Sequence, residues 1–183
     1  MNRRHFFQSL GVAASSFALP AWATQTGLTQ AGTSNKFAPL FQANPKLTCL
    51  RGYRGQDVSC DKAWVEGKIP ADLRGDFFRN GPGLFERGGQ RYHHWFDGDG
   101  MVHAWRFSDQ GVSHQARFVQ TKKFAAEQQA GEFLVPAFGT AIEPKIPLRS
   151  SDTMNTANTN VIKMDGRLLA LWEGGSAHGM DAT

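Results

Sequence analysis

The chain has 183 residues, of which 40% are hydrophobic, 20% charged and 11% aromatic, with 20 glycines and 8 prolines. This apolar content excludes a fully disordered chain. No apolar run reaches the roughly 18 residues that a membrane-spanning helix needs. The formal net charge of +4 is small and the basic residues are scattered, so we expect no nucleic-acid partner.

Residues 1–23 have the three-part layout of an export signal. Arg3 and Arg4 precede an apolar stretch that is interrupted by glycine and serine, and Ala21 and Ala23 frame an A-x-A cleavage site. Paired arginines before a weakly hydrophobic core are typical of the twin-arginine route. We therefore predict a twin-arginine-type signal peptide and a periplasmic location. An amphipathic N-terminal helix is the alternative.

The region after the signal changes character at about residue 46. Residues 24–45 are rich in Gln, Thr, Ala, Asn and Gly without any period, which predicts a linker or an N-terminal arm. Beyond it, short segments alternate between apolar and polar residues, as in strands. Three antiparallel strands are predicted at 92–96, 101–107 and 112–119, with a tight Asp-Gly-Asp-Gly turn over 97–100.

Further elements are predicted downstream. Lys122–Ala130 consists of good helix formers and stops at Gly131, which indicates a short helix. After a loop over residues 131–157, a hairpin is predicted from 158–164 and 167–173. Such meanders cannot bury their own apolar faces in a chain that ends without a capping element. We therefore expect an all-β fold, the first blades of a propeller with a short helix and long loops.

The sequence has two cysteines, Cys49 and Cys60. A disulfide would suit an exported protein, whereas two unrelated thiols would suit any compartment. The spacing excludes a CxxC metal or redox motif, whereas a disulfide and two unrelated thiols both remain possible interpretations.

Three ordered blocks resemble a known family. The first block begins at Ile69-Pro70, continues through Arg79-Asn80-Gly81-Pro82 and ends with the aromatic sequence HWFDGDGM at 94–101. The second block is Phe118–Phe124, and the third is ANTNVIKMDGRLLALWEGG at 157–175. In these blocks the chain resembles the carotenoid cleavage oxygenase family over about residues 60–183. Apart from the resemblance, Arg79-Asn80-Gly81-Pro82 is expected to bend the chain, with Arg79 pairing with Asp97 or Asp99.

The resemblance implies a seven-bladed β-propeller of which residues 46–183 would be a truncated N-terminal part. It implies Fe(II) held by four histidines, and glutamates that orient those histidines through hydrogen bonds. With O2 as co-substrate, such an enzyme splits a carbon–carbon double bond of an apolar polyene or stilbene. Contact with a membrane surface is expected for uptake of so apolar a substrate.

Glu173 is the one residue that the resemblance assigns to the iron site, as a carboxylate that orients a ligand histidine. No catalytic residue and no iron ligand is assigned. His178 in Ala177-His178-Gly179 imitates a ligand motif but follows LALWEGG too closely, so it stays only a candidate. His93, His94, His103 and His114 are expected to be structural. Trp172 before Glu173 favours a carotenoid or apocarotenoid over a stilbene.

The leading hypothesis is the N-terminal portion of an exported Fe(II)-dependent dioxygenase acting on a carotenoid or apocarotenoid. A stilbene-cleaving member of the same family is one alternative. A non-catalytic, truncated propeller fragment without the iron site is another. An in-frame continuation beyond residue 183 with three or four further histidines would distinguish the enzyme from the fragment.

Replacing Arg3 and Arg4 by lysine should hold the precursor in the cytoplasm, because the twin-arginine route requires the arginine pair. Cell fractionation followed by immunoblotting measures the distribution. Export of the double variant at the wild-type rate would show that the assignment to this route is wrong.

Overall fold

Two antiparallel sheets carry the fold in this computed structural model, which describes residues 37–53 and 56–182. The described residues belong to one compact unit. The predicted signal peptide over residues 1–23 lies outside the described residues, as does the first part of the predicted arm. No helix in the described part of the chain is long and apolar enough to cross a membrane.

The larger sheet has four strands in the order β1-β6-β5-β2, and the second has three in the order β7-β8-β9. All pairings are antiparallel, and a two-stranded ribbon, β3 with β4, stands apart. The strands are β1 (Val58–Cys60), β2 (Gly75–Leu84), β3 (Glu86–Arg87), β4 (Gln90–Arg91), β5 (Asp99–Ser108), β6 (Gly111–Phe118), β7 (Asn160–Met164), β8 (Arg167–Leu171) and β9 (His178–Asp181). The helices are α1 (Phe37–Ala43) and α2 (Lys122–Ala130), with 3₁₀ segments at Pro45–Leu50, Trp95–Asp97 and Ser151–Met154.

Two local predictions are confirmed. The Thr121 side chain accepts the N–H of Phe124 at 3.0 Å and so caps α2, while Gly131 ends that helix in the left-handed region at φ 70°. Asp165 and Gly166 both have positive φ, at 50° and 78°, which is the backbone that a two-residue hairpin between β7 and β8 requires.

The predicted strand at 92–96 and the turn at 97–100 are wrong. Trp95–Asp97 forms a 3₁₀ turn, and β5 already begins at Asp99. The reason is that Asp97 is buried and accepts hydrogen bonds from the Thr140 hydroxyl at 2.6 Å and the Gly139 N–H at 2.9 Å. A side chain so engaged cannot sit in a solvent-exposed turn. The strand beside β5 is instead β2.

The expected bend at residues 79–82 is wrong in its position, because the irregularity in β2 comes directly after Pro82, as a register shift between Pro82 and Leu84. Asn80, Gly81 and Pro82 lie inside β2, opposite Val102, Met101 and Gly100 of β5. Proline is tolerated because β2 is the last strand of its sheet, where a missing N–H breaks no ladder. Arg79 pairs with neither of its two expected carboxylates, since each of them is held by other residues.

Two segments predicted to lack regular structure have it. Residues 37–43 of the predicted arm form α1, whose Phe37 and Phe41 rings lie 6.1 Å apart with the Arg91 guanidinium over both. The segment around His178 is strand β9, which makes β8 a central strand. Alternate residues of β8, Leu168 and Ala170, are buried, and the residues between them are only partly buried.

The core is divided by β5, because successive side chains of a strand point to opposite faces. Met101 packs with Leu84, Phe118 and Phe124 of α2 on one face. Val102 packs on the other face with residues of the second sheet and its approach: Val119, Ala157, Leu168 and Ala170. Cys60 on β1 is a free, partly buried thiol, and the side chain of Cys49 lies outside the described residues.

Beside the first cluster, four charged side chains are buried together. The Lys123 ammonium lies 2.7 Å from Asp99 Oδ1 and 2.9 Å from Glu127 Oε2, and Arg87 Nη2 lies 2.9 Å from Asp99 Oδ2. The charges of the two cations and the two carboxylates sum to zero, and this compensation allows all four groups to be buried. Burial alone would lower the pKa of Lys123, but the charges of Asp99 and Glu127 outweigh it and raise that pKa well above its usual value.

Replacing Lys123 by methionine should destabilise the protein by about 3–5 kcal/mol, because it leaves two buried carboxylates facing one remaining guanidinium. The measurement is urea unfolding. Lys145→Met is the matched control: its pair with Glu132 is exposed, so the change should stay within about 1 kcal/mol. Equal effects of the two substitutions would contradict the assigned role of the buried cluster.

Candidate functional site

An open cleft of about 1070 Å³ is lined by residues of β2 and β5, of the turn at Trp95–Asp97 and of the segments that flank the β7–β8 hairpin. A volume of this size suits a small organic molecule. The lining is largely aromatic with a few polar groups: Arg79, Asn80, Gly81, Pro82, Trp95, Phe96, His103, Trp105, Phe138, Asn158, Thr159, Trp172, Glu173 and Gly174.

The register of the sheet explains the aromatic wall. His103 and Trp105 alternate along β5 with the core residue Val102, so they face away from the second sheet. At the other side, Phe96 and Phe138 are 59% and 79% exposed although both are large and apolar. Large apolar rings exposed around a concave site are typical of surfaces that contact a ligand or another part of a protein.

Glu173 lies two residues beyond the end of β8, beside Trp172 in the cleft wall. Its side chain is exposed, and no other side chain of the described residues pairs with its carboxylate. The Trp172 ring packs against Gly174, where a Cβ would stand 2.7 Å from the ring. A side chain at position 174 would therefore require the Trp172 ring to move, and Glu173 lines the cleft between these two residues.

His103 and His114 form a pair on neighbouring strands. His103 Nδ1 lies 3.1 Å from His114 Nε2, and the His114 ring stacks on Trp105 with centroids 3.9 Å apart. One ring must donate and the other accept, so at most one of them can be charged while the bond lasts. Burial, together with the neighbouring His114 and Arg79, lowers the pKa of His103 below its ordinary value, and burial lowers that of His114.

The other predicted residue, His178, is not part of the cleft wall. It lies on β9, where its Nε2 is 2.9 Å from the carbonyl oxygen of Gln120. Within residues 37–53 and 56–182, no group of three or more His, Cys, Asp or Glu side chains is placed to hold a metal ion. These residues alone therefore do not provide a ligand set for iron.

Three polar residues of the cleft lining carried no predicted role in the sequence: Asn80, Asn158 and Thr159. The Thr159 hydroxyl donates to the carbonyl of Leu171 at 2.8 Å, two residues before Glu173. The sequence feature that could have indicated these cleft residues is the run of amide and hydroxyl side chains over 155–160, which is unusual immediately before an apolar hairpin.

The chain matches the model of the retinal pigment epithelial membrane protein (RPE65) family over residues 54–183, and it belongs to that family. It is 44% identical to apocarotenoid-15,15'-oxygenase of Synechocystis sp. over 143 residues, which are 72% of this chain and 28% of that enzyme. Human beta,beta-carotene 15,15'-dioxygenase is 37% identical over 91 residues, 50% of this chain and 17% of the enzyme. Isoeugenol monooxygenase of Pseudomonas nitroreducens is 33% identical over 117 residues, 64% and 24% respectively. The chain thus spans less than a third of the length of these relatives.

Solved structures agree with this assignment. A chimera of apocarotenoid oxygenase (ACO) and RPE65 aligns with a TM-score of 0.66 at 39% identity, covering 75% of this chain and 30% of the chimera. Cobalt-substituted Synechocystis ACO aligns with a TM-score of 0.59 at 38% identity, covering 72% and 28%. These neighbours are seven-bladed propeller enzymes, so the predicted fold class, an all-β part of such a propeller, is confirmed.

The neighbours also include Synechocystis ACO variants altered at a threonine, at a tryptophan thirteen residues later, and at the glutamate that directly follows the tryptophan. Thr159, Trp172 and Glu173 have the same spacing in this chain, and all three line the cleft. The spacing indicates that this cleft corresponds to the region altered in those variants.

The lowered pKa values of the histidine pair predict that acid destabilises the folded protein. The unfolded chain binds protons at these two histidines more readily than the folded protein does. The stabilisation of the fold by the neutral pair is therefore complete above the unfolded pKa of about 6.5, and it is lost as the pH falls through the folded pKa. His103→Gln should therefore lose less thermal stability than wild type between about pH 8 and about pH 5. Parallel losses of Tm in the two proteins would contradict this.

Proposed function

We propose that this chain forms part of the substrate cleft of an Fe(II)-dependent dioxygenase that cleaves a carbon–carbon double bond of a carotenoid or apocarotenoid. The observation that carries the proposal is the position of Glu173 in an aromatic cleft, where no other side chain of the described residues pairs with its carboxylate. Thr159 and Trp172 have the spacing of the residues altered in the Synechocystis ACO variants. Family membership supports the reaction class, because the most similar relatives are named as oxygenases of carotenoids and apocarotenoids.

Iron would be held by residues beyond the described part of the chain. When bound, it would supply the activation of O2 that lets the double bond be split into two carbonyl products. The cobalt-substituted ACO structure supports a metal centre in the relatives. Glu173 fits beside such a centre, since an exposed carboxylate with a free oxygen can accept the N–H of a ligand imidazole and fix the orientation of that ring.

The cleft wall supports an elongated apolar substrate. Trp95, Phe96, Trp105, Phe138 and Trp172 offer ring faces and no charge, which suits a polyene. An aromatic substrate would also fit such a wall, and isoeugenol monooxygenase is among the relatives. A stilbene-like substrate is therefore the second candidate within the same reaction class.

Two accessory features belong to the same proposal. The twin-arginine-type signal over residues 1–23 would place the enzyme in the periplasm. The exposed Phe96 and Phe138 at the cleft mouth would allow substrate uptake from a membrane surface. The alternative function, a truncated propeller without an iron site, predicts a full-length protein that binds no iron and produces no aldehyde.

Replacing Glu173 by glutamine in the full-length protein should reduce iron affinity or turnover about 10–100-fold, because the carboxylate that orients a ligand histidine is lost. Iron content by elemental analysis and aldehyde formation from an apocarotenoid are the measurements. Glu143→Gln is the matched control, since Glu143 is exposed and outside the cleft wall.

Wild-type iron content and turnover in Glu173→Gln would remove Glu173 from the site. Absence of iron and of product in the unmodified full-length protein would instead favour the non-catalytic alternative. The control variant should match wild type in both measurements, which separates a local effect from a general loss of negative charge.

A further inference from the structure

The segment from Asn155 to Asn160 is held in an unusual backbone conformation. Ala157 has φ 46°, in the left-handed region that disfavours a side chain, and it is fully buried. Its carbonyl approaches Gly100 so closely that a Cβ on Gly100 would collide with it, and Gly100 N–H donates to the Thr156 carbonyl at 2.8 Å. A strained, buried loop of this kind persists only where its surroundings hold it in place.

Two asparagines, Asn80 and Asn158, hold this segment against the cleft; together they are called the asparagine clamp. The Asn80 amide nitrogen donates to the carbonyls of Ala157 at 2.7 Å and Asn160 at 2.9 Å. The Asn158 amide nitrogen donates to the carbonyls of Phe96 at 2.8 Å and Gly98 at 2.7 Å. Each side chain thus uses both of its N–H groups on two backbone carbonyls.

The orientation of each amide is determined by these contacts. A backbone carbonyl can only accept, so the atom facing it must be the NH2 group. The amide oxygens Asn80 Oδ1 and Asn158 Oδ1 are consequently left buried without a donor among the described residues. An unsatisfied buried acceptor is unfavourable and offsets part of the stabilisation that the four donated hydrogen bonds provide.

The clamp connects directly to the cleft residues. Asn80 bonds the carbonyls on both sides of the Asn158–Thr159 pair, and Thr159 in turn bonds Leu171 through both its N–H at 3.0 Å and its hydroxyl at 2.8 Å. Leu171 is followed by Trp172 and Glu173. Hydrogen bonds therefore connect β2 to the 157–160 segment, and that segment to the end of β8, which is followed by the Glu173 carboxylate.

We propose that Asn80 and Asn158 are positioning residues for the oxygenase reaction, which set the place of Thr159 and, through it, of the Trp172–Glu173 strand end. The inference rests on the proposed function. Asn158 also ties the same segment to Phe96 on the opposite wall, so the clamp sets the spacing of the two walls. Misplacement of reacting groups by about 1 Å can reduce a rate by about 100-fold.

The test is a double-mutant cycle in the full-length, iron-loaded protein with an apocarotenoid substrate. Asn80→Leu removes both donors, and Thr159→Val removes the hydroxyl that bonds Leu171. We expect Asn80→Leu to reduce kcat about 10–100-fold with KM within about 2-fold. If Asn80 acts through Thr159, the double variant should be no more than about 3-fold slower than the slower single variant.

Asn160→Leu is the matched control. It lies in the same segment, but its exposed side chain bonds only the N–H of Val161, and it is not part of the cleft wall. We expect its kcat within about 2-fold of wild type. Asn80→Asp and Asn158→Asp keep the side-chain shape and remove the donors, so both should repeat the loss caused by Asn80→Leu, with Tm measured alongside.

Wild-type kcat in Asn80→Leu, multiplicative losses in the cycle, or an equal loss in Asn160→Leu would each overturn the clamp proposal while the proposed function stands. If none of the clamp variants folds, the asparagines serve folding and the positioning role is likewise overturned. Absence of carotenoid cleavage by the unmodified protein would mean that the proposed function itself fails.

Discussion

The burial of Lys123 is the constraint on which the rest of the described structure depends. An ammonium group with no exposure to solvent requires compensating charge, and Asp99 and Glu127 supply it from β5 and α2. Arg87 closes the cluster from the β3–β4 ribbon, and the Tyr92 hydroxyl adds a hydrogen bond to Glu127 at 3.2 Å. Burial raises the pKa of Tyr92, so this hydroxyl stays protonated and able to donate. Helix, ribbon and strand are thereby joined at one point.

That point also determines where β5 begins. Asp99, whose carboxylate is held by two buried cations, is the first residue of β5, and it pairs with Leu84 across the register shift in β2. The alternation along β5 then places Val102 in the core and His103 and Trp105 at the cleft. The cluster lies outside the cleft wall, at the residue where β5 begins.

The cleft itself has a different physical basis. Its walls are apolar rings, but they are held by amide and hydroxyl hydrogen bonds to backbone carbonyls, among them those of Asn80, Asn158 and Thr159. An apolar wall packs without direction, whereas hydrogen bonds to carbonyls define distance and angle. The combination gives a cleft with apolar rings and one carboxylate, Glu173, on a framework of directional hydrogen bonds.

The sequence by itself determined some of the local elements and, through its motifs, the family. Residue types with strong local preferences predicted α2 with its Gly131 end and the β7–β8 hairpin. The order of the motif blocks predicted the carotenoid oxygenase family. The motif around Glu173 also predicts a site role for this residue, without knowledge of the cleft that it lines. Local backbone preference and motif order need no knowledge of distant contacts, so they can be read directly.

Only the tertiary structure decided the partner of β5, the pairing of residues 79–82 within β2 and the backbone conformation around Ala157. The Asp-Gly-Asp-Gly run has the composition of a turn, but Thr140 and Gly139 bind Asp97 from more than forty residues away and remove that option. Asn80 and Asn158 likewise bond carbonyls about 60 to 80 residues distant in the chain. Such contacts exist only after the sheets have assembled, because no local preference records which carbonyl an asparagine will reach.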